Sequence, residues 1–484
     1  MRITFAASEG VPYSKTGGLA DVVGALPKAL SALGHEVTVF LPRYRRTHLK
    51  EAHLVIPNLT VPMQDYLLFC QVIGGGKHDG VQFYFVDHPE FSYRDGLYGD
   101  SRGDYADNAE RFMMFCRAVI ESSKRFGPPD VFHVHDWQTA LIPVLLRSLY
   151  AYDASFALTG TVLTIHNIGY QGLFPNSVVP KLLLPWSLFT MDRLEFYDKV
   201  NFLKGGIVYS DYITTVSRTY AKEIQTYDFA FGLADTVFRK RDRLVGIVNG
   251  ADYGEWNPAA DRHLPARFSA SDLSGKSKSK AALLEQFGVP QEKLQTPIIG
   301  VISRFAAQKG FDLMEAVLPR LLREDVVLIV LGTGDKHYEA MFRSFQARFP
   351  DHLSVKIAYD NALAHLVEAG SDIFLMPSHY EPCGLTQIYS MRYGTVPVVR
   401  ATGGLEDTVE QWNPKQRTGT GFKFADYDPT QLIAATRQAL TTFKNKDDWM
   451  QLMLNGMRQN FSWEQPAREY VSVYEKARAL RVSK

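Results

Sequence analysis

The chain of 484 residues is 46% hydrophobic and 22% charged, with 53 Lys+Arg against 52 Asp+Glu. Such a length accommodates roughly three average domains or two larger α/β ones with a core that needs no disulfides or structural metals, which excludes a stapled mini-domain. A net charge of +1 excludes whole-surface attraction to nucleic acid or an anionic membrane and leaves local basic pockets as the places for anions.

Cys70, Cys116 and Cys383 are the three cysteines. They form no CxxC pair and no zinc spacing, so a reducing compartment without a thiolate metal site is expected. The opening MRITFAASEG enters an apolar strand without the basic start and cleavage pattern of a signal peptide. No run approaches the ~18 apolar residues needed to span a bilayer. These features predict a cytoplasmic protein.

Taken in chain order, short runs rich in β-branched residues alternate with longer helical patterns. They are MRITFAAS, HEVTVFLP, VFHVHD, TVLTIHN, YITTVS and LVGIVNG, then IIGVIS, VVLIVLG and DIFLMPS. This alternation predicts parallel sheets covered by helices on both faces, with ligands beyond the carboxyl ends of the strands. The start MRITFAAS, KTGG, a Pro-containing helix and HEVTVFLP is echoed by IIGVIS, QKG, a Pro-containing helix and VVLIVLG. Two similar βαβ domains are therefore expected, with a boundary close to Gly250–Asp252. After it, Lys276, Lys278 and Lys280 read as the solvated start of a helix rather than a phosphate patch. Ser462 and Gln465 have capping-box spacing, and Tyr470, Val473, Tyr474 and Ala477 line one face of a closing helix that needs an apolar surface.

Four sets of strand-end motifs carry chemistry. In KTGGLADV, Gly17 and Gly18 let backbone amides approach an anion, and Lys15 adds a full charge. This reads as a phosphate cradle, with a tight turn bearing a surface lysine as its competitor; it matches neither GxGxxG nor GxxxxGK[ST]. In SRFAAQKG, Arg304 and Lys309 would be satisfied together by a diphosphate, or else are two exposed loop charges. In SHYEPCGLTQ, Glu381 can hold a sugar while the amides of Gly384, Leu385 and Thr386 hold a phosphate, the alternative being a helix N-terminal charge. Cys383 has no nucleophile partner recognisable by spacing. In HVHDWQ and TIHN, His133 and His135 lack a third metal ligand. Asp136 reads as a base, a binder of an acceptor hydroxyl or a helix N-cap. His166, followed by Gly169 and Gly172, reads as functional.

Together, SEGVPYSKTGGLADVVGALP, HVHDWQTAL, TIHNIGYQG, TTVSRTYAKEI, GIVNGADYGEWNP, SRFAAQKGFDL, EPCGLTQIYSMRYGTVPVV and TGGLEDTV span nearly the whole chain. On these motifs it resembles the bacterial glycogen synthases and the plant starch synthases. The resemblance implies an α/β fold of two Rossmann-like domains facing a deep cleft, the GT-B glycosyltransferase architecture. Residues 1–250, with 461–484 returning to them, would form the acceptor-side domain, and residues 251–460 the nucleotide-sugar-binding domain. It further implies a retaining glucosyltransferase that elongates α-1,4-glucan (glycogen) from ADP-glucose, with no cofactor, metal, nucleic-acid or membrane partner.

Carried over residue by residue, the resemblance gives Arg304 and Lys309 to the phosphates, helped by Gly18 and by Gly384, Leu385 and Thr386. Cys383 falls within the same nucleotide-binding loop. Lys15 would reach both phosphate and sugar from the opposite wall. Glu381 and His166 would hold the donor glucose, supported by Asn249, with Tyr359 and Asp360 near adenine and ribose. Asp136 would be an acceptor-side or catalytic carboxylate, and Glu9 a weaker acceptor-side candidate. Related retaining transferases carry a second glutamate eight residues after the first, where this chain has Tyr389. That favours a front-face reaction, in which the departing phosphate helps deprotonate the incoming hydroxyl, over a double displacement. Donor binding is expected to close the cleft. Two other readings are a transferase using UDP-glucose or a small acceptor, and a nonenzymatic glucan binder or nucleotide-sugar sensor. The intact set Lys15, His166, Arg304, Lys309 and Glu381 argues against the sensor.

Overall fold

Strands buried on both faces can be continuous apolar runs, and the runs read from the sequence fall into the parallel parts of two sheets. The computed structural model describes residues 1–63 and 66–482. They divide into two compact units, Met1–Gly250 with the segment from Trp463 onward, and Ala251–Ser462.

The first unit contains β1 (Arg2–Ala6), α1 (Gly18–Ala32), β2 (Glu36–Pro42), β3 (His53–Pro62), β4 (Leu67–His78), β5 (Val81–Asp87), α2 (Asn108–Phe126), β6 (Val131–His135), β7 (Gly160–Ile165), β8 (Tyr212–Thr215) and β9 (Leu244–Gly246). Among the described residues its large sheet has nine strands in the order β9-β8-β7-β6-β1-β2-β5-β4-β3. All neighbours are parallel except the pairs β3/β4 and β4/β5, an antiparallel extension absent from the strands read in the sequence. The chain fills one side of β1 with β2 and β5 and then crosses to β6. A crevice therefore opens beyond the carboxyl ends of β1 and β6, where the winding reverses.

In the second unit, α3 (Ser274–Gln286) precedes β10 (Ile298–Ile302), α4 (Phe311–Leu321), β11 (Val327–Gly332), β12 (Leu353–Ile357), α5 (Asn361–Gly370), β13 (Ile373–Met376), α6 (Thr386–Arg392), β14 (Val396–Arg400) and β15 (Phe422–Phe424). Its six strands are all parallel, in the order β12-β11-β10-β13-β14-β15, which is the Rossmann order with its reversal between β10 and β13. The expected echo of the two βαβ starts is present to the detail that Pro27 lies inside α1 and Pro319 inside α4.

A helix from beyond the second unit, α7 (Glu464–Val482), lays Ala467, Tyr470, Val473, Tyr474 and Ala477 into the core of the first unit beside Ile3, Phe5, Val37 and Val162. Gly160 lets it approach, since a Cβ there would lie 3.0 Å from the Ala477 backbone. Polar contacts fix its register. Tyr474 Oη is 2.8 Å from His133 Nδ1, and Arg481 joins Arg147 on Asp211, whose side chain is 2% exposed.

The expectation that the lysines of α3 are solvated fails for two of the three. Lys278 is exposed, but Lys276 and Lys280 are buried, one helical turn apart on the face that also carries Leu283 and Leu284. Lys276 Nζ donates to the carbonyls of Ala369, Ser371 and Tyr393 and to Thr395 Oγ1, at 2.8–3.0 Å. Lys280 Nζ donates to Asp372 Oδ2 at 2.7 Å and to the Thr296 carbonyl at 2.8 Å. Burial pushes the Lys276 ammonium down to about 7 despite Asp372 nearby.

Candidate active site

In the first unit, the candidate residues gather on the loops after β1, β6, β7 and β9. The KTGG loop is tied to β1 by Glu9, a buried carboxylate that accepts from Thr16 N, from Thr16 Oγ1 at 2.6 Å and from Tyr98 Oη at 2.5 Å. Lys15 Nζ lies 2.7 Å from Asp21 Oδ1 in the first turn of α1, so an arriving anion would have to share that ammonium. A Cβ added at Gly17 or Gly18 would meet nothing within 4 Å, which leaves open the space a phosphate needs against the backbone.

Asp136 follows β6 with φ +54°, a left-handed conformation uncommon for a residue with a side chain. Its Oδ1 accepts from His166 N at 2.7 Å, joining the ends of β6 and β7 rather than capping its own short helix. Burial raises the carboxyl to about 7, opposed by backbone hydrogen bonds from His166 and Asn167. His166 Nε2 is 3.0 Å from His135 Nδ1, and burial lowers its imidazole to about 3. At neutral pH His166 is thus a neutral hydrogen-bonding ring and not a cation. Gly172, at φ +64°, brings the chain over Trp137, whose ring would lie 2.6 Å from a Cβ there. Asn249 follows β9 and is buried, with an Oδ1 that has no hydrogen-bond partner among the described residues. His133 is consumed by structure: Nε2 meets Thr164 Oγ1 at 2.6 Å and Nδ1 meets Tyr474.

In the second unit the reversal point carries the strongest pair. Lys309, on the loop after β10, places Nζ 2.6 Å from Oε2 of Glu381, on the loop after β13. Ser378 Oγ donates to the same oxygen at 3.1 Å, a partner the sequence did not suggest. Glycines allow these loops to pack: a Cβ at Gly310 would lie 2.0 Å from the Pro377 carbonyl, and one at Gly403 1.9 Å from the Glu381 carbonyl, both at positive φ. The turn Cys383–Thr386 is pinned by Gln387 Nε2, which donates to the carbonyls of Cys383 and Gly384 and to Thr408 Oγ1 at 3.0–3.1 Å. Gly384 has φ +71°, Leu385 precedes α6 and Thr386 begins it, while the Cys383 side chain is buried. Arg304 lies exposed on the loop after β10. After β12, Tyr359 is 78% exposed, and Asp360 caps α5 by accepting from Leu363 N at 3.0 Å. Among the described residues no three His, Cys, Asp or Glu side chains gather as a metal site.

Each unit thus presents lysine and carboxylate groups at the crevice where a Rossmann-like sheet reverses. Residues 2–239 match the family model described as starch synthase catalytic domain, and residues 284–478 the one described as glycosyl transferases group 1. Fold and site together define a glycosyltransferase of the GT-B type.

The chain is 58% identical to a glycogen synthase of Koribacter versatilis over 481 residues, covering 99% of both chains. It is 44% identical to one of Thermotoga petrophila, again over 99% of each. Among solved structures, the catalytic domain of starch synthase IV from Arabidopsis thaliana, bound to ADP and acarbose, matches with a TM-score of 0.91 and 33% identity over 99% of both chains. The chain belongs to the glycogen synthase family. Among the described residues no helix is long and apolar enough to cross a membrane.

Proposed function

We propose that this protein transfers glucose from ADP-glucose to the non-reducing end of an α-1,4-glucan, with retention at the anomeric carbon. The observation that carries the proposal is the Lys309–Glu381 pair at the β10/β13 reversal, beside the turn Gly384–Thr386. An ammonium, a carboxylate and backbone amides on adjacent loops are the donor set required by a sugar linked to a diphosphate. The likeness to an enzyme solved with ADP supports an adenine nucleotide as carrier. The second unit, with Tyr359 and Asp360 toward the nucleoside, would be the nucleotide-sugar domain, and the first unit the acceptor side.

The bond that breaks joins the anomeric carbon to a phosphate oxygen, and negative charge grows on the departing diphosphate. Arg304, Lys309 and the amides of Gly384–Thr386 would neutralise it, with Lys15 and Gly18 contributing from the KTGG loop. Fixed charges and amides need no reorganisation as that charge develops. Glu381 and His166 hold the glucose by its hydroxyls, His166 as a neutral hydrogen-bond partner, with Asn249 adding the unfilled acceptor of its buried amide. The acceptor hydroxyl attacks on the face the phosphate leaves, and its proton passes to the departing phosphate oxygen. Asp136 orients that hydroxyl. A double displacement would need a second carboxylate, and the position eight residues after Glu381 is Tyr389.

Chain elongation on glycogen, with ADP-glucose and UDP-glucose compared at matched concentration, tests the proposal. Incorporation from ADP-glucose several-fold above that from UDP-glucose is the expected result. Preference for UDP-glucose would overturn the donor assignment, and nucleotide-sugar binding without elongation would favour a sensor.

A further inference from the structure

The motif GADYGEWNP lies at the start of the second unit, outside the site described above, yet its tryptophan is buried at the junction of α5 and α6. Trp256 is sandwiched between His365 of α5, ring centroids 3.8 Å apart at 7°, and Tyr389 of α6, 4.2 Å apart at 2°. Asp261 ties α5 to the residue that follows α6. Its Oδ2 is 2.7 Å from His365 Nδ1 and accepts from Tyr393 Oη at 2.5 Å. Asp261, His365 and Tyr393 are all buried, so these are low-dielectric contacts with fixed geometry. The buried Lys276 completes the joint, because its ammonium takes the carbonyls of Ala369 at the end of α5 and of Tyr393 just past α6.

Both helices lead away from proposed donor contacts. Tyr359 and Asp360 immediately precede α5, and Gly384, Leu385 and Thr386 lead into α6. The joint grips each helix one to two turns further along. We propose that Trp256, with His365, Asp261 and Lys276, is a positioning clamp that sets the spacing between the nucleoside end and the phosphate end of the donor site. In this reading Tyr389 occupies its position as the outer plate of the stack, which accounts for an aromatic ring eight residues after Glu381. Offset or parallel ring stacking resists the sliding of α6 past α5, and a ligand bridging two elements loses affinity when their spacing is no longer prepaid.

The inference rests on the donor assignment made above, and its test separates the two. Trp256→Leu, Trp256→Phe, Tyr389→Leu and Lys309→Ala are compared in the full chain, reading KM for ADP-glucose, KM for glycogen, kcat and calorimetric ADP affinity. The clamp predicts that Trp256→Leu and Tyr389→Leu raise donor KM and weaken ADP about 10-fold. Glycogen KM stays within two-fold, and Trp256→Phe recovers most of the loss. A merely structural role would lower the folded fraction and hence apparent kcat, leaving donor KM unchanged in the molecules that remain folded. Unchanged donor KM in the folded leucine variants overturns the clamp. Should Trp256→Leu fail to fold, Tyr389→Leu and Trp256→Phe decide it by the same readouts. Lys309→Ala with undiminished ADP affinity overturns the donor assignment itself, whereas its loss alongside normal leucine variants removes the clamp alone.

Discussion

Replacing Asp136 by Asn isolates the cost of a buried carboxylate. The native acid is raised from the ordinary aspartate value of 3.8 to about 7, with burial as the main cause. At about 1.36 kcal/mol per pKa unit the gap is worth about 4 kcal/mol, and about 2 kcal/mol once it is discounted because Asp136 as a residue is only partly buried. The sign follows from proton linkage. The folded state holds this proton more tightly than the unfolded one, so the stability from the group is complete below 3.8 and is lost as pH rises through 7. Asparagine is neutral throughout, and its oxygen can still accept from His166 N. Asp136→Asn should therefore melt with the parent near pH 4 and above it at pH 8, by about 4 °C for about 2 kcal/mol in a unit of this size. Calorimetric melting curves of both proteins from pH 4.5 to 8 measure the gap. A gap independent of pH, or one that widens on acidification, would refute the burial argument. The stabilised variant should at the same time lose most of its turnover, since the carboxylate proposed to orient the acceptor hydroxyl is gone.

Three further perturbations follow from the same contacts. Glu381→Ala should reduce elongation at least about 100-fold, the scale of removing one preorganised polar group, with an unchanged circular dichroism spectrum; near-normal turnover contradicts its role. Gly403→Ala should cost both stability and activity, because its Cβ would lie 1.9 Å from the Glu381 carbonyl at φ +46°. Its melting temperature, read beside that of the exposed-turn variant Gly34→Ala, whose Cβ meets nothing within 4 Å, separates collision from backbone strain, which the two share. Arg481→Ala should lower the stability of the first unit by about 2 kcal/mol, as Asp211 keeps Arg147 and Thr161 but loses a charged partner. Differential scanning calorimetry should show the shift in one transition only.

The strand ends were legible because the parallel strands are β-branched apolar runs closed by small or polar residues and followed by Gly-containing loops. Lys15, Lys309 and Glu381 are singled out on that basis, and the structure places all three on strand-end loops. The antiparallel pair β3/β4 could not, since HLVIPNLTVP is interrupted by Pro57 and Asn58 and β4 carries Gly74, Gly75 and Gly76 in a row, which blurs the alternation. Partners distant in sequence were equally hidden. Tyr98 reaches Glu9 across 89 positions and His135 meets His166 across 31. Lys276 was misread for the same reason: SGKSKSK looks hydrophilic locally, and the carbonyls that accept its ammonium lie between Ala369 and Tyr393. Composition describes a segment, whereas burial of a charge depends on acceptors supplied from elsewhere.

Because α7 supplies Tyr470 and Tyr474 to the core of the first unit, that core is not complete when Gly250 leaves the ribosome. The second unit is one uninterrupted stretch, and all its strands are available before Trp463 is synthesised. Folding during translation should consequently run against chain order, with the later unit maturing first and the earlier one waiting, its Gly160 flank bare, for the final helix to arrive.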